Sequence, residues 1–469
     1  MNKEDFNNTI KNIIIIILVI VSLAQTYRLW FGVNANYNFF YALRSLIVKQ
    51  EDINTEKIYL ASPYRLISKA AANDYRIKYN GLSESIGKYN ADLVLEELLL
   101  SGAFVSEYEL NWADSLRRGC LIYSYPVFLP PSVFAECILQ SSDLEKEGVM
   151  RFTEQVSSFN YLVFIPAVSS ASNVTVLVVN DRDSTVFEYS VRVKAEINDN
   201  LRLYIEDGSV GSLRFISSAE SGITSPGENL FIPDFPANGF EYAAAGVINP
   251  YQSQDGEVTI KSVESQIKVF FEDSPIKQVI PDETSFRYVS DDNAVVKYNF
   301  LSGVLEYSNY ATLDTQKDNS LVANYSAALN FIRSDHNVIN DFYLDSYFLD
   351  GERYTFYFNY AVSDFPLIFP DSVKVNIGMG YCMEVAIERQ EVVKYKRIAA
   401  CFTQDDMASD TASLNFYDFL NTFYDPAGNE SLQEMMNRVR LGYRFDENMQ
   451  MLLNWTVELD GRSYMRPAK

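Results

Sequence analysis

The sequence predicts an α+β protein, with a single N-terminal transmembrane helix followed by two or three extracytoplasmic domains of twisted antiparallel sheets covered by helices. Three observations carry that expectation. An aliphatic run stands alone near the N-terminus, at residues 13–31. Aromatic residues make up 14% of the chain, with 32 Tyr and 31 Phe, and they fall in short runs with β-branched residues, which pack well on pleated surfaces. A helical stretch precedes paired strand-like runs more than once, as in sheets covered by a helix on one face. At 469 residues the chain exceeds one ordinary core, hence the two or three domains.

The N-terminal run reads Ile13-Ile14-Ile15-Ile16-Ile17-Leu18-Val19-Ile20-Val21 before its first hydroxyl. Extended as a helix to Phe31 it covers about 28 Å at 1.5 Å per residue, one hydrocarbon core. Arg28 near its end can snorkel to the headgroups, and Tyr27 and Trp30 suit the interfacial belt, so these three are the expected interface anchors. Ser22, Gln25 and Thr26 are spaced three and four apart and share one helical face. In lipid such groups hydrogen-bond to a neighbouring helix for about 0.6–2 kcal/mol, which makes them a candidate partner-binding face. The plainer account is that they mark the interface. A cleaved signal peptide is the competing reading of the segment, because residues 13–24 match an h-region and Ser22-Leu23-Ala24 fits a small-x-small cleavage site. Tyr27, Leu29, Trp30 and Phe31 continue the apolar surface past that cut, as a stop-transfer helix would. Lys3 and Lys11 on the short side favour residues 1–12 as a cytoplasmic tail and the bulk of the chain outside.

Residues 32–221 form the first expected extracytoplasmic domain. A helix over 91–100 stops at Gly102, and a strand over 121–127 follows. A helix opened by Pro130-Pro131 runs to 138, since proline is tolerated in a first turn. Runs at 161–165, 174–179 and 186–193 read as an antiparallel sheet. Residues 222–256 are rich in Pro, Gly and Asn and predict a linker. The expected middle domain, 257–334, holds an amphipathic helix at 258–271, strands at 286–289, 294–300 and 304–307, and a helix at 321–332. In the C-terminal domain, 335–469, Asp350-Gly351 between 342–349 and 353–360 is a strong hairpin signal. Long strands at 373–387 and 392–402 follow. A helix at 430–438 and a hairpin of 439–445 with 451–459 close the chain. Helix followed by strands thus appears and then partly recurs.

The net charge is −23, and residues 1–12 contribute nothing to it, so the whole excess belongs to the rest of the chain. Such a field repels phosphodiester backbones, which excludes nucleic acid as a partner class. His336 is the one histidine. It follows a predicted helix end, where a donor helps cap carbonyls, and that role is weighed there against imidazole catalysis, while zinc sites usually use several His or Cys. Cys120, Cys137, Cys382 and Cys401 lack metal-type spacing and read as buried thiols. A Cys382–Cys401 bridge is the alternative, although a turn near Gln390-Glu391 would set Cys382 opposite Ala399 and leave Cys401 diagonal to it. Asp181-Arg182-Asp183, Asp291-Asp292 and Gln404-Asp405-Asp406 lack EF-hand spacing and read as solvated turns. A glycosidase pair stays open, because only separation in space identifies one. No nucleotide-binding, metalloprotease or nucleophile-elbow motif is present. No catalytic residue, metal or cofactor is assigned.

Laid out in this way, the chain resembles the YycH family of membrane-anchored regulators, relatives of YycI. The run from Leu18 to Trp30, an aliphatic helix ending in Ser22-Leu23 and Thr26-Tyr27-Arg28-Leu29-Trp30, looks like that family's anchor. Tyr123-Ser124-Tyr125-Pro126 with Leu129-Pro130 looks like its strand-then-proline step. Residues 293–307 and 383–397 are similar to its paired strands. Gly442-Tyr443 with residues 454–461 looks like the closing hairpin of both families, although Asn454 precedes Trp455 where a nearby proline is expected. The resemblance implies a single-pass membrane protein with its α+β domains outside a Gram-positive cell. It further implies a non-enzymatic role, in association with a membrane sensor histidine kinase governing cell-wall metabolism and with a YycI-like partner. A wall-associated ligand-binding module, marked by a large apolar pocket, is the alternative, and a two-carboxylate carbohydrate-active enzyme is a further one.

Overall fold

A computed structural model of the chain describes residues between 60 and 468, apart from 72–73, 80–90, 117, 169–171, 208–212, 220–229, 254, 272–274, 291–293, 363–364, 370, 424–438, 446–450 and 460–461. The expected anchor at 13–31, Asp291-Asp292 and the expected helix at 430–438 lie outside the described residues. Within them, no helix is long and apolar enough to cross a membrane. The architecture is mixed helix and antiparallel sheet.

Among the described residues, the first sheet has nine strands: β1 (Arg65–Ala71), β2 (Asp74–Tyr79), β3 (Ala103–Glu109), β4 (Cys120–Leu129), β5 (Phe159–Pro166), β6 (Asn173–Asn180), β7 (Thr185–Arg192), β8 (Arg214–Ser217) and β9 (Phe231–Pro233). Their order is β3-β7-β6-β5-β4-β1-β2-β8-β9, antiparallel throughout. Its helices are α1 (Ala91–Ser101), α2 (Trp112–Ser115), α3 (Pro131–Ile138), α4 (Glu147–Gln155) and α5 (Ala195–Asp207). β4 is apolar almost without interruption and buried along most of its length, as expected of a strand covered on both faces. Pro126 breaks no rung of the ladder. The pairing with β1 ends at Ser124, and the pairing with β5 skips from Ser124 to Leu129. Pro131 opens α3 at a position whose N–H has no helical acceptor. Asp181-Arg182-Asp183 forms the turn between β6 and β7. There Asn180 Nδ2 donates to Asp183 Oδ2 at 2.9 Å and the Asp183 N–H returns a bond to Asn180 Oδ1 at 3.0 Å.

Among the described residues, the second sheet has fourteen strands. They are β10 (Phe240–Ile248), β11 (Ile276–Pro281), β12 (Ser285–Ser290), β13 (Ala294–Asn299), β14 (Val304–Asn309), β15 (Phe342–Asp350), β16 (Arg353–Val362), β17 (Phe365–Ile368), β18 (Met383–Glu388), β19 (Glu391–Ile398), β20 (Cys401–Ala412), β21 (Val439–Phe445), β22 (Met451–Leu459) and β23 (Arg462–Pro467). The helices are α6 (Ile260–Ile267), α7 (Leu321–Ser334), α8 (Asp371–Ile377) and α9 (Phe416–Phe423). Thr259 and Ser262 cap α6 reciprocally, and a 3-10 turn carries it on to Phe271. Residues 222–256 contain β9 and β10, and the chain leaves the first sheet for the second between Pro233 and Phe240.

The recurrence of helix and strands is an internal repeat. α6 leads into β11-β12-β13-β14, and α7 leads into β15, β16, β18 and β19. Each set is an antiparallel meander, and the two join through their last strands, β14 beside β19. The order β11-β12-β13-β14-β19-β18-β16-β15 is the same meander read outward from a local two-fold axis. The register agrees. The sequence offset that carries Val304 to Val392 and Tyr307 to Tyr395 also carries the pair Asn299–Val304 onto the pair Ile387–Val392. Gly351 turns the β15–β16 hairpin at φ 62°, the left-handed conformation that the Asp-Gly signal anticipates.

The structure corrects three sequence expectations. Residues 373–387 are not one strand: α8 runs to Ile377, and β18 begins at Met383. Val373-Lys374-Val375-Asn376-Ile377 alternates as a strand would, but Val373 is buried while Val375 is exposed. Gly378, at φ 64°, closes the helix. The expected strand 392–402 divides into β19 and β20 on either side of Ala399-Ala400, where the Ala399 N–H bonds the Gly303 carbonyl at 2.8 Å. Gln404-Asp405-Asp406 is no turn. It lies within β20, with Gln404 opposite Ala245 and Asp405 opposite Ala244.

Candidate functional site

The ionisable groups most removed from water lie where the internal repeat meets the first turn after α7. Asp335 follows α7 directly, and Arg397 lies on β19 opposite Leu305. Both side chains are fully buried, and Arg397 Nε donates to Asp335 Oδ2 at 2.6 Å. Arg397 Nη2 donates to the Tyr251 hydroxyl at 2.9 Å and Nη1 to the Ile398 carbonyl at 3.0 Å. Asp335 also accepts from the Asn337 N–H at 3.1 Å and from the Tyr395 hydroxyl at 3.4 Å. Tyr251 stacks on Tyr298 with ring centroids 4.6 Å apart, and Asn249 Nδ2 donates to the Tyr298 hydroxyl at 2.9 Å. Burial disfavours the Arg397 charge, but the adjacent Asp335 carboxylate overrides it and holds the guanidinium above its ordinary range. Burial pushes the Tyr251, Tyr360 and Tyr395 phenols up, so they stay neutral hydrogen-bonding groups. The carboxylate, guanidinium and phenols satisfy one another. This is a clamp between elements, with no face open to a substrate.

Cys382 and Cys401 are buried thiols and form no bridge. The β18–β19 turn falls at Arg389-Gln390, both at positive φ, and the Ile398 N–H bonds the Cys382 carbonyl. Cys382 therefore faces Ile398, one residue away from the expected Ala399. Burial raises both thiols, with Cys382 Sγ accepting from the Tyr360 N–H at 3.3 Å and Cys401 Sγ lying 3.1 Å from the Asn337 carbonyl. His336 is exposed immediately after the α7 cap. Among the described residues, no group of three or more His, Cys, Asp or Glu side chains could hold a metal ion. A cavity lined by Tyr64, Tyr125, Pro126, Tyr325 and Tyr343 measures about 10 Å³, room for one water molecule at most.

The surface offers more than the interior. β3 is the outer strand of the first sheet, and among the described residues its pairing is with β7. All of its residues but Ser106 are exposed, and Phe104, Val105 and Tyr108 are large apolar or aromatic members. Val105 is the extra residue of a bulge, since Phe104 faces Tyr189 and Ser106 faces Glu188. Glu107 and Glu109 share one face of the strand, while Ser106 and Tyr108 share the other. Burial, followed by the charge of Glu188, pushes the Tyr108 phenol up to about 12. β3 contains no Lys, Arg or Pro. Three other outer strands differ: β11 carries Lys277 and Pro281, β23 carries Arg462, Arg466 and Pro467, and β9 is three residues long and ends in Pro233, whereas β15 and β20, like β3, contain no Lys, Arg or Pro.

Nothing in the sequence singled out β3. Ala103-Phe104-Val105-Ser106-Glu107-Tyr108-Glu109 follows a helix and a stop glycine and alternates weakly, which was its one signal. The pairing of Asp335 with Arg397 joins residues far apart in the chain and had no local signature. The residues expected to bind a partner (Ser22, Gln25 and Thr26) and the interface anchors (Tyr27, Arg28 and Trp30) lie outside the described residues.

No protein-family model matches the chain, and no curated protein matches it. Among solved structures, the crystal structure of YycH from Bacillus subtilis is similar to it, at 10% identity and a TM-score of 0.45, over 88% of this chain and 96% of that chain.

Proposed function

We propose that the chain is a membrane-anchored, non-enzymatic regulator that binds and modulates a sensor histidine kinase of a cell-wall-controlling two-component system, together with a YycI-like partner. The reading places residues 13–31 across the membrane and the bulk of the chain outside the cell. The observation that carries it is the anchor itself. Read as a helix, the sequence of residues 13–31 would be long enough to span, and its spacing would gather Ser22, Gln25 and Thr26 on one side of the outer half. The resemblance to the YycH family, which begins in that helix and continues to the closing hairpin, supports the same reading. So does the use of the buried ionisable groups, Asp335 and Arg397, as a clamp with both charges satisfied inside the protein.

Regulation by such a protein is a matter of differential binding. A helix that packs against one arrangement of the kinase's transmembrane helices more tightly than against another shifts the kinase between them by that difference in affinity. Hydrogen bonds from Gln25 and Thr26 would be made in the favoured arrangement. Replacing Gln25 and Thr26 together by Leu keeps the segment apolar and removes those bonds. Kinase association in a membrane two-hybrid assay should weaken, and target-gene output should change with it. Unchanged association with unchanged output would remove the docking face from the account.

A further inference from the structure

We propose that β3 is a docking edge, and that it accepts an extended, lysine- or arginine-bearing segment of a partner protein as an added antiparallel strand of the first sheet. An outer strand presents a row of backbone N–H and C=O groups to any strand that can lie alongside it. Proteins blunt such edges with lysine, proline or a very short strand, as β11, β23 and β9 do here. β3 keeps seven residues of exposed edge. The device it does carry, the bulge at Val105, lies near its N-terminal end and leaves Ser106 to Glu109 in regular register with β7.

Charge selects the occupant. Glu107 and Glu109 project from the same face of the strand, and Glu188 on β7, opposite Ser106, adds a carboxylate on the other face beside Tyr108. A basic residue at alternate positions of an added strand would stand across from Glu107 and Glu109, while Phe104, Val105 and Tyr108 offer apolar contact. A second copy of this chain is disfavoured, because each molecule carries a net charge of −23 and would bring a like-charged edge. The anchor-face reading and this one are independent, since they use different segments and different partner chemistry.

The test uses the full-length chain in detergent micelles and a fluorescein-labelled peptide of alternating Lys and Val, matched in length to β3. Fluorescence anisotropy should report saturable binding at low salt. Binding should weaken at least tenfold in the double variant Glu107→Lys with Glu109→Lys, whose fold is checked by far-UV circular dichroism. A second probe of identical sequence and charge, N-methylated at every backbone amide, cannot donate to the ladder from either edge and should not bind the unmodified protein. This second arm needs no variant, so the test survives a variant that fails to fold. Equal binding of the N-methylated probe would reduce the site to plain charge attraction and overturn the proposal. Equal binding by the folded double variant, or by a peptide of alternating Glu and Val, would overturn it too. Concentration-dependent self-association of the chain that the double variant abolishes would assign the edge to a second copy instead.

Discussion

Tyr307 on β14 and Tyr395 on β19 stand directly opposite each other across the seam that joins the two halves of the internal repeat. The offset that superposes the halves carries one tyrosine onto the other, so the local two-fold axis passes through this pair. The aromatic side chains nearest the axis obey the same symmetry. Phe270, after α6, lies 5.9 Å from Tyr307 and 6.0 Å from Tyr395, while Phe331, on α7, lies 5.0 Å and 5.3 Å from them. Phe270 and Phe331 touch each other at 5.6 Å. One helix from each half therefore contributes a ring to a cluster that pins both helices to the same seam.

Truncating that cluster should cost more than an ordinary core substitution. Tyr395→Ala and Phe270→Ala, both at buried rings, should each destabilise the protein by about 3–5 kcal/mol, as for other buried aromatic truncations. Denaturant unfolding monitored by circular dichroism measures this. A loss well under 1 kcal/mol for both would mean that the halves are held together elsewhere.

The clamp between Asp335 and Arg397 makes a prediction about pairs against single partners. Removing one member of a buried ion pair leaves an unpaired charge, at a cost of about 3–5 kcal/mol. Asp335→Leu alone should therefore be severe, because Arg397 keeps its charge without a counter-ion. The double variant Asp335→Leu with Arg397→Met should recover a large part of the loss. A double variant no more stable than Asp335→Leu would show that the Tyr251 and Asn337 contacts, and not the pair, carry the energy.

Asp181 in the β6–β7 turn predicts a pH dependence. Burial raises its carboxyl above the usual range, and donation from Asn160 Nδ2 at 2.8 Å and the nearby Arg182 charge offset that in part. A carboxyl whose pKa is raised in the folded state favours folding when protonated, and that contribution is lost as pH rises through the raised value. Near neutrality the ionised group is therefore a net cost. Asp181→Asn, which keeps an oxygen acceptor, should raise the melting temperature at pH 7, and the advantage should shrink towards pH 4. A variant less stable than the parent at pH 7 would reverse the sign assigned to this group.

Gly442 is needed for contact and not for its φ. A Cβ there would lie 2.4 Å from the Pro366 carbonyl and 2.7 Å from the Ile368 side chain, at the parallel pairing of β17 with β21. Gly442→Ala should lower the melting temperature by several degrees, whereas Gly351→Asn, in an open turn where asparagine tolerates positive φ, should be nearly neutral. Similar effects at the two sites would contradict the close approach.

How much of this was legible in the sequence depends on how local the cause is. Asp350-Gly351, Pro130-Pro131 and the alternation around Val174 and Val186 specify their hairpin, helix start and strands through neighbouring residues, and those elements stand where the sequence placed them. Residues 373–377 misled because a five-residue run of alternating valines fits a strand and a short helix equally well, and only the burial of Val373 against the exposure of Val375 separates them. The strands β1 and β2, the Asp335–Arg397 pair and the open edge at β3 depend on partners distant in the chain, which no window of sequence contains. The repeat lay between these cases: its order of helix and strands was visible, but the axis through Tyr307 and Tyr395 follows from register alone.

On the proposed function, residues 13–31 hold this protein in a membrane beside a sensor kinase. Site-specific photo-cross-linking from position 25 of the full-length chain, in native membranes and followed by mass spectrometry, tests it most directly. The account predicts an adduct joining the segment around Gln25 to a transmembrane helix of a sensor histidine kinase. A mature chain that begins near residue 25 and is recovered free of membranes, or adducts confined to unrelated proteins, would contradict it.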